Sequence, residues 1–132
     1  MIEAARLVLI APSNPSISIE PILRVPGVRA MLRAARGKTV AISPLIGGRA
    51  VKGPTVELLR AEGVRPDALG VAERYQDLAT GFVLDTADAA LAPSIAAIGY
   101  RIAVRPTMLD DVDSARDVAS TAVNLLREPA AA

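Results

Sequence analysis

"LVLIAPSNPSISIEPIL", Leu7 to Leu23, begins as an unbroken apolar run, breaks at Pro12 into small polar residues, and resumes helix-compatible residues near Ile19. A run that is apolar on both faces and too short for a helix suits a central strand of a parallel sheet, which is buried on both sides. The pattern recurs down the chain. Thr39-Val40-Ala41-Ile42-Ser43, Phe82-Val83-Leu84-Asp85 and Arg101-Ile102-Ala103-Val104 join Leu7–Ala11 as four strands, separated by segments of helical period. That alternation predicts a layered α/β domain. Helices are expected over Val28–Arg36, Thr55–Glu62 and Ala87–Ile98, each followed by a glycine (Gly37, Gly63, Gly99) suited to a left-handed stop, and over about Val112–Arg127. Pro66–Gly81 reads as a further helical stretch that Gly70 weakens. One domain is expected over residues 1–128, followed by a disordered tail at 129–132.

Composition removes several functions. The 132 residues suffice for one ordinary domain with a real core. Fifteen basic residues stand against 14 acidic ones and are scattered, so the footprint of a nucleic-acid binder is missing. No apolar stretch has membrane-spanning length, and Met1 opens no secretory signal pattern, so a cytoplasmic protein is expected. The absence of Cys and His excludes thiolate and imidazole chemistry, leaving carboxylates, Lys, Arg, hydroxyls and backbone amides.

In an open parallel sheet, ligands bind beyond the carboxyl ends of the strands. Ser13, Asn14, Pro15, Ser16 and Ser18 occupy that position after the first strand, where hydroxyls, an amide and free N–H groups ahead of a helix suit an anion such as phosphate. A turn with a helix cap is the plainer reading of the same residues. After the second strand comes "SPLIGGRAVKGP", Ser43 to Pro54. Gly47, Gly48 and Gly53 permit close backbone approach, and Lys52 offers a mobile positive charge for a phosphoryl oxygen; the alternative is a glycine turn beside a solvated lysine. The spacing matches neither G-x-x-x-x-G-K-[ST] nor G-x-G-x-x-G. Two such loops at one sheet edge favour a phosphate-bearing ligand over two unrelated turns. Asp85, Asp88, Asp110, Asp111 and Asp113 fall at the same edge, where they read as helix caps before they read as Mg²⁺ ligands. Tyr75 and Tyr100 read as core-edge residues with wet hydroxyls.

Four segments, "APSNPSISIEPIL", "VAISPLIGGRAVKGP", "ALGVAERYQDLATGFVLDTADAAL" and "PTML", resemble in this order the carboxyl-terminal part of the 2-phospho-L-lactate transferase family of coenzyme F(420) biosynthesis. The resemblance implies a three-layer, Rossmann-like sheet with flanking helices, incomplete relative to the full family domain. It also implies transfer of a phospholactyl or phosphoenolpyruvyl group from a GDP-linked donor to the hydroxyl of the deazaflavin Fo, with release of GMP and use of Mg²⁺ held mostly by residues outside this chain. By matching motif, Ser13, Asn14, Pro15 and Ser18 border the donor phosphates, and Gly47, Gly48, Lys52 and Gly53 shape the adjoining wall. Two departures accompany the likeness: the family's amino-terminal half, with its glycine-rich loop, is not represented here, and Arg105-Pro106 stands where the family carries an acidic residue before Thr107. A sheet without its neighbouring strands exposes an apolar edge, so a homodimer or association with a separate amino-terminal half is expected. A non-catalytic nucleotide-binding module, similar to the gluconeogenesis-factor family, and an inactive fragment are the competing expectations.

Overall fold

The computed structural model describes residues 1–127; the expected domain end at residue 128 and the tail at 129–132 lie outside the described residues. Among the described residues six strands form, β1 (Val8–Ile10), β2 (Thr39–Ile42), β3 (Leu45–Ile46), β4 (Arg49–Ala50), β5 (Gly81–Leu84) and β6 (Arg101–Val104). The four strands foreseen in the sequence make one all-parallel sheet in the order β1-β2-β5-β6, with Leu9 beside Val40, Ala41 beside Phe82 and Phe82 beside Ile102. Each new strand is therefore laid beside its predecessor in the sheet. β1 and β2 are shorter than expected, β5 is shifted back by one residue, and β6 has the expected bounds. Asp85 leaves the ladder and accepts the Ala87 N–H at 2.8 Å, opening a 3-10 turn over Thr86–Leu91.

Among the described residues six α-helices surround the sheet: α1 (Glu20–Leu23), α2 (Val28–Ala34), α3 (Thr55–Ala61), α4 (Ala68–Arg74), α5 (Ala92–Ala97) and α6 (Val112–Leu125). Alternating residues of one strand explain the layering. Ala41 of β2 packs with Phe82, Leu84 and the buried residues of α1 to α5, while its neighbours Val40 and Ile42 face the other way with Val83 onto Val118 and Ala122 of α6. The result is a three-layer, Rossmann-like α/β arrangement with five helices on one face and one on the other.

Several expectations are corrected. Gly37 is no left-handed stop: it lies in a 3-10 turn, Arg36–Lys38, after Ala35 has closed α2 by donating its N–H to Met31 and Leu32 carbonyls, so no left-handed residue is needed there. Gly63 and Gly99 do take positive φ. Only Ala68–Arg74 of the 66–81 stretch is α-helix, and Gly81 belongs to β5, where an added Cβ would stand 2.9 Å from Val40. The 87–98 helix is split, because Pro93 starts α5 and lacks the N–H that a longer helix would require. α6 ends two residues earlier than expected and begins with a reciprocal cap between Asp111 and Ser114. Tyr75 and Tyr100 are buried rather than wet: Tyr100 donates its hydroxyl to the Ala72 carbonyl at 2.6 Å and packs against the Phe82 ring, whereas the enclosed Tyr75 hydroxyl has no partner among the described residues. Burial pushes both phenols far up from their ordinary value, so neither ionises.

Candidate functional site

At the carboxyl edge of the sheet, the segments after β1, β2 and β6 surround an open cleft of about 400 Å³. Pro12, Ser13, Asn14, Ile17 and Ser18 form its first wall, and Ser43, Pro44, Ile46 and residues 51–55 form the second. Thr107, Met108 and Leu109 supply the third.

The first wall is a single π-helical turn, Pro15–Ile19, that runs into α1. The Asn14 carbonyl accepts both the Ser18 N–H (3.0 Å) and the Ile19 N–H (3.1 Å). Pro21 has no N–H to give to the residue four before it, which removes one of the bonds that would tighten the turn into regular α-helix. Asn14 also caps the turn, its Oδ1 accepting from the Ser16 and Ile17 N–H groups at 2.9 and 3.2 Å. This corrects the expectation of free N–H donors at a helix start: Asn14 uses them itself. Its Nδ2 donates to the Thr55 hydroxyl at the start of α3, 3.3 Å away.

The second wall contains a hairpin where the sequence suggested only a loop. β3 and β4 pair antiparallel, and Gly47 and Gly48, at φ 61° and 73°, make the two-residue turn between them. Positive φ at both central positions is what such a turn requires, so the glycines serve hairpin geometry. Neither lines the cleft. Pro15 is likewise outside its lining, buried under the turn, while Ser13, Asn14, Ser18, Lys52 and Gly53 all line it. Ser16 points to the far side of the turn, toward Glu62. Lys52 has no hydrogen bond or ion pair among the described residues, so its ammonium is available to a guest.

Two buried carboxylates outside the cleft lining brace its surrounding segments. Asp85 Oδ2 accepts the Thr107 N–H at 2.8 Å and its hydroxyl at 3.1 Å, fixing the third wall. Burial works to raise this carboxyl, but the donors on Ala87 and Thr107 outweigh it and hold the group below the ordinary value. Asp88 is pushed the other way, upward, by burial and by the neighbouring Asp85 charge, against the Gly47 N–H that it accepts at 3.0 Å. Both carboxylates are thus engaged in holding the chain, and no group of three His, Cys, Asp or Glu converges among the described residues. These residues do not fit a Mg²⁺ seat.

Sequence reasoning missed the apolar rim. Ile17, Val51, Met108 and Leu109 line the cleft, each at least 44% exposed. Large exposed apolar groups gathered around polar ones are a feature of ligand grooves. Among the described residues, no helix is long and apolar enough to cross a membrane.

The sequence model of the family described as 2-phospho-L-lactate transferase CofD matches residues 1–124. The chain is 39% identical over 118 residues to a 2-phospho-L-lactate transferase of Methanosarcina acetivorans, a match covering 89% of this chain and 38% of that protein. It is 38% identical over 128 residues to a phosphoenolpyruvate transferase of Kitasatospora aureofaciens, covering 96% and 40% respectively. A phosphoenolpyruvate transferase of Streptomyces coelicolor is 37% identical over 125 residues, 94% of this chain and 39% of its own length. The chain spans about two fifths of the length of the curated relatives it matches.

Proposed function

Since the chain belongs to the 2-phospho-L-lactate transferase family, we propose that its cleft receives the diphosphate of a GDP-linked phospholactyl or phosphoenolpyruvyl donor in the cytoplasmic synthesis of coenzyme F(420). In the reaction, the hydroxyl of the deazaflavin Fo attacks the phosphorus that carries the organic acid. The bond from that phosphorus to the bridging oxygen breaks, GMP leaves with the electron pair, and the hydroxyl proton passes to solvent water. Such a transfer needs positioning and neutralisation of phosphoryl charge more than covalent help from the protein.

The observation that carries this reading is the meeting of Ser13, Asn14 and Ser18 with the unpaired Lys52 in one cleft. Lys52 is suited to a phosphoryl oxygen as a mobile charge, and the hydroxyls of Ser13 and Ser18 donate to others. The apolar rim excludes water and seats the remainder of the ligand. In this reading a Mg²⁺ ion, like the Fo site, depends on residues beyond this chain.

Calorimetric titration with GDP and GMP tests the site. Binding by the chain, with affinity reduced about tenfold or more in Lys52→Ala and Asn14→Ala, is expected, a tenfold change being about 1.4 kcal/mol. Equal binding by all three proteins, or none by the unaltered one, rejects the site. The second reading is a nucleotide-binding module without catalysis, in keeping with a cleft lining that, among the described residues, includes no carboxylate able to take a proton. Product formation from Fo and donor, when the chain is mixed with the amino-terminal portion of a relative, separates the two.

A further inference from the structure

We propose that Arg74 is a positioning residue, holding the turn that carries Asn14 and Ser18 in its phosphate-receiving geometry from the side away from the cleft. The proposal rests on the reading of the cleft given above.

The turn has two faces. Asn14, Ile17 and Ser18 face the cleft, whereas Ser16 faces a second, shallow hollow of about 660 Å³ bounded by α1, α3 and α4. There the Ser16 hydroxyl donates to Glu62 Oε2 at 2.9 Å and accepts from Arg74 Nη1 at 3.1 Å. The same Nη1 donates to Glu62 at 2.7 Å, and Nη2 lies 3.7 Å from Glu20. Arg74 exposes only 18% of its side chain while Glu62 exposes 39%, so the guanidinium is anchored in the fold and the carboxylate it holds lies at the surface. A guanidinium holds its donors in a fixed plane, and three partners around it define the position of Ser16 relative to α4.

The geometry also links the cleft's two polar walls. Asn14 is bonded to Thr55, the first residue of α3, and Ser16 to Glu62, the residue that follows its last. The turn is therefore fastened alongside α3 at both ends of that helix. Lys52 and Gly53 lead directly into α3, so the same fastening sets the separation between the turn's hydroxyls and the lysine. Charge makes Arg74 the member that matters. Glu20 is paired with Arg29 at 3.0 Å and Arg24 at 3.5 Å as well, so it stays neutralised without Arg74. Among the described residues, Glu62 has Arg74 as its only cationic partner.

The test is NMR of the 132-residue chain with Arg74→Gln, Arg74→Lys, Ser16→Ala and the Ser16→Ala/Arg74→Gln pair, reading amide hydrogen exchange and GDP titration together. In Arg74→Gln, exchange at Ser18 and Ile19 is expected to accelerate about tenfold, with Phe82 and Val83 of β5 unchanged, as for a local opening. GDP affinity is expected to fall about tenfold in the same variant, to be partly restored by lysine, and to fall no further in the double variant. Unchanged exchange at Ser18 and Ile19 overturns the proposal, and so does uniform acceleration that includes β5, which would mark Arg74 as a general structural contact. If the unaltered chain binds no GDP, the phosphate reading falls and the exchange comparison still decides whether Arg74 holds the turn.

Discussion

Replacing Gly70 with alanine sets two effects of opposite sign against each other. In an exposed helix interior, Gly→Ala is worth about 1 kcal/mol of stabilisation. Gly70 sits in the first turn of α4, where an added Cβ would lie 1.9 Å from the Arg65 carbonyl oxygen and 2.7 Å from its carbon. Both are backbone atoms, so no rotamer change relieves the overlap, and about 1 Å of helix displacement is needed. That displacement has two consequences. It strains a face on which Ala68, Val71 and Ala72 are fully buried, at an overpacking cost of about 1–3 kcal/mol. It also opens the cap in which Asp67 accepts the Gly70 N–H at 2.9 Å, for about 1 kcal/mol more. After the propensity gain is subtracted, Gly70→Ala is expected to destabilise by about 1–3 kcal/mol, lowering the urea midpoint by roughly 1 M at ordinary m-values. Equilibrium urea unfolding followed by far-UV circular dichroism measures it. An unchanged or raised midpoint refutes the close approach of residue 65 to α4.

Tyr100→Phe should lose about 1 kcal/mol with its bond to the Ala72 carbonyl, whereas Tyr75→Phe, which removes a hydroxyl that has no partner among the described residues, should be neutral or stabilising; thermal unfolding of the pair checks the contrast. The two aspartates should bend the pH profile oppositely. The depressed Asp85 contributes stability that is present above its unfolded value and lost as pH falls through the lower folded one, so Asp85→Asn should cost about 1–3 kcal/mol at pH 7 and progressively less below about pH 4. The raised Asp88 contributes stability below its unfolded value that is lost as pH rises through the folded one, so Asp88→Asn, which keeps an acceptor for Gly47, should raise the melting temperature at pH 7. The outer edge of β1, with Leu9 39% exposed, should drive association of the chain, and a compact monomer in concentrated gel filtration would contradict this.

The strands were readable because Thr39–Ile42 and Gly81–Leu84 are buried on both faces, and burial of that kind writes itself as a continuous apolar run. Their order was not, since neighbour choice depends on how distant helices pack and leaves no mark on a single run. In the candidate site, Asn14 and Lys52 could be singled out from loop composition, but the competition for the Ser16 and Ile17 N–H groups is a matter of side-chain rotamer. The Gly47-Gly48 pair carried a hairpin signal between Leu45-Ile46 and Arg49-Ala50 that its flanks, two residues each, were too short to make plain. Met108 and Leu109 entered the cleft from more than fifty residues beyond Lys52, a juxtaposition only the assembled sheet creates.

The strictly sequential arrangement of β1, β2, β5 and β6 bears on how the protein is made. A chain emerging from the ribosome can dock each new ribbon onto the one just completed, without leaving a gap for a latecomer to invade. Among the described elements α6 alone must reach back to the other face, and until it does, Val40, Ile42 and Val83 are bare on that side. A fragment ending before residue 112 should therefore expose these three side chains and bind an apolar dye more strongly than a chain that includes residues 112–125.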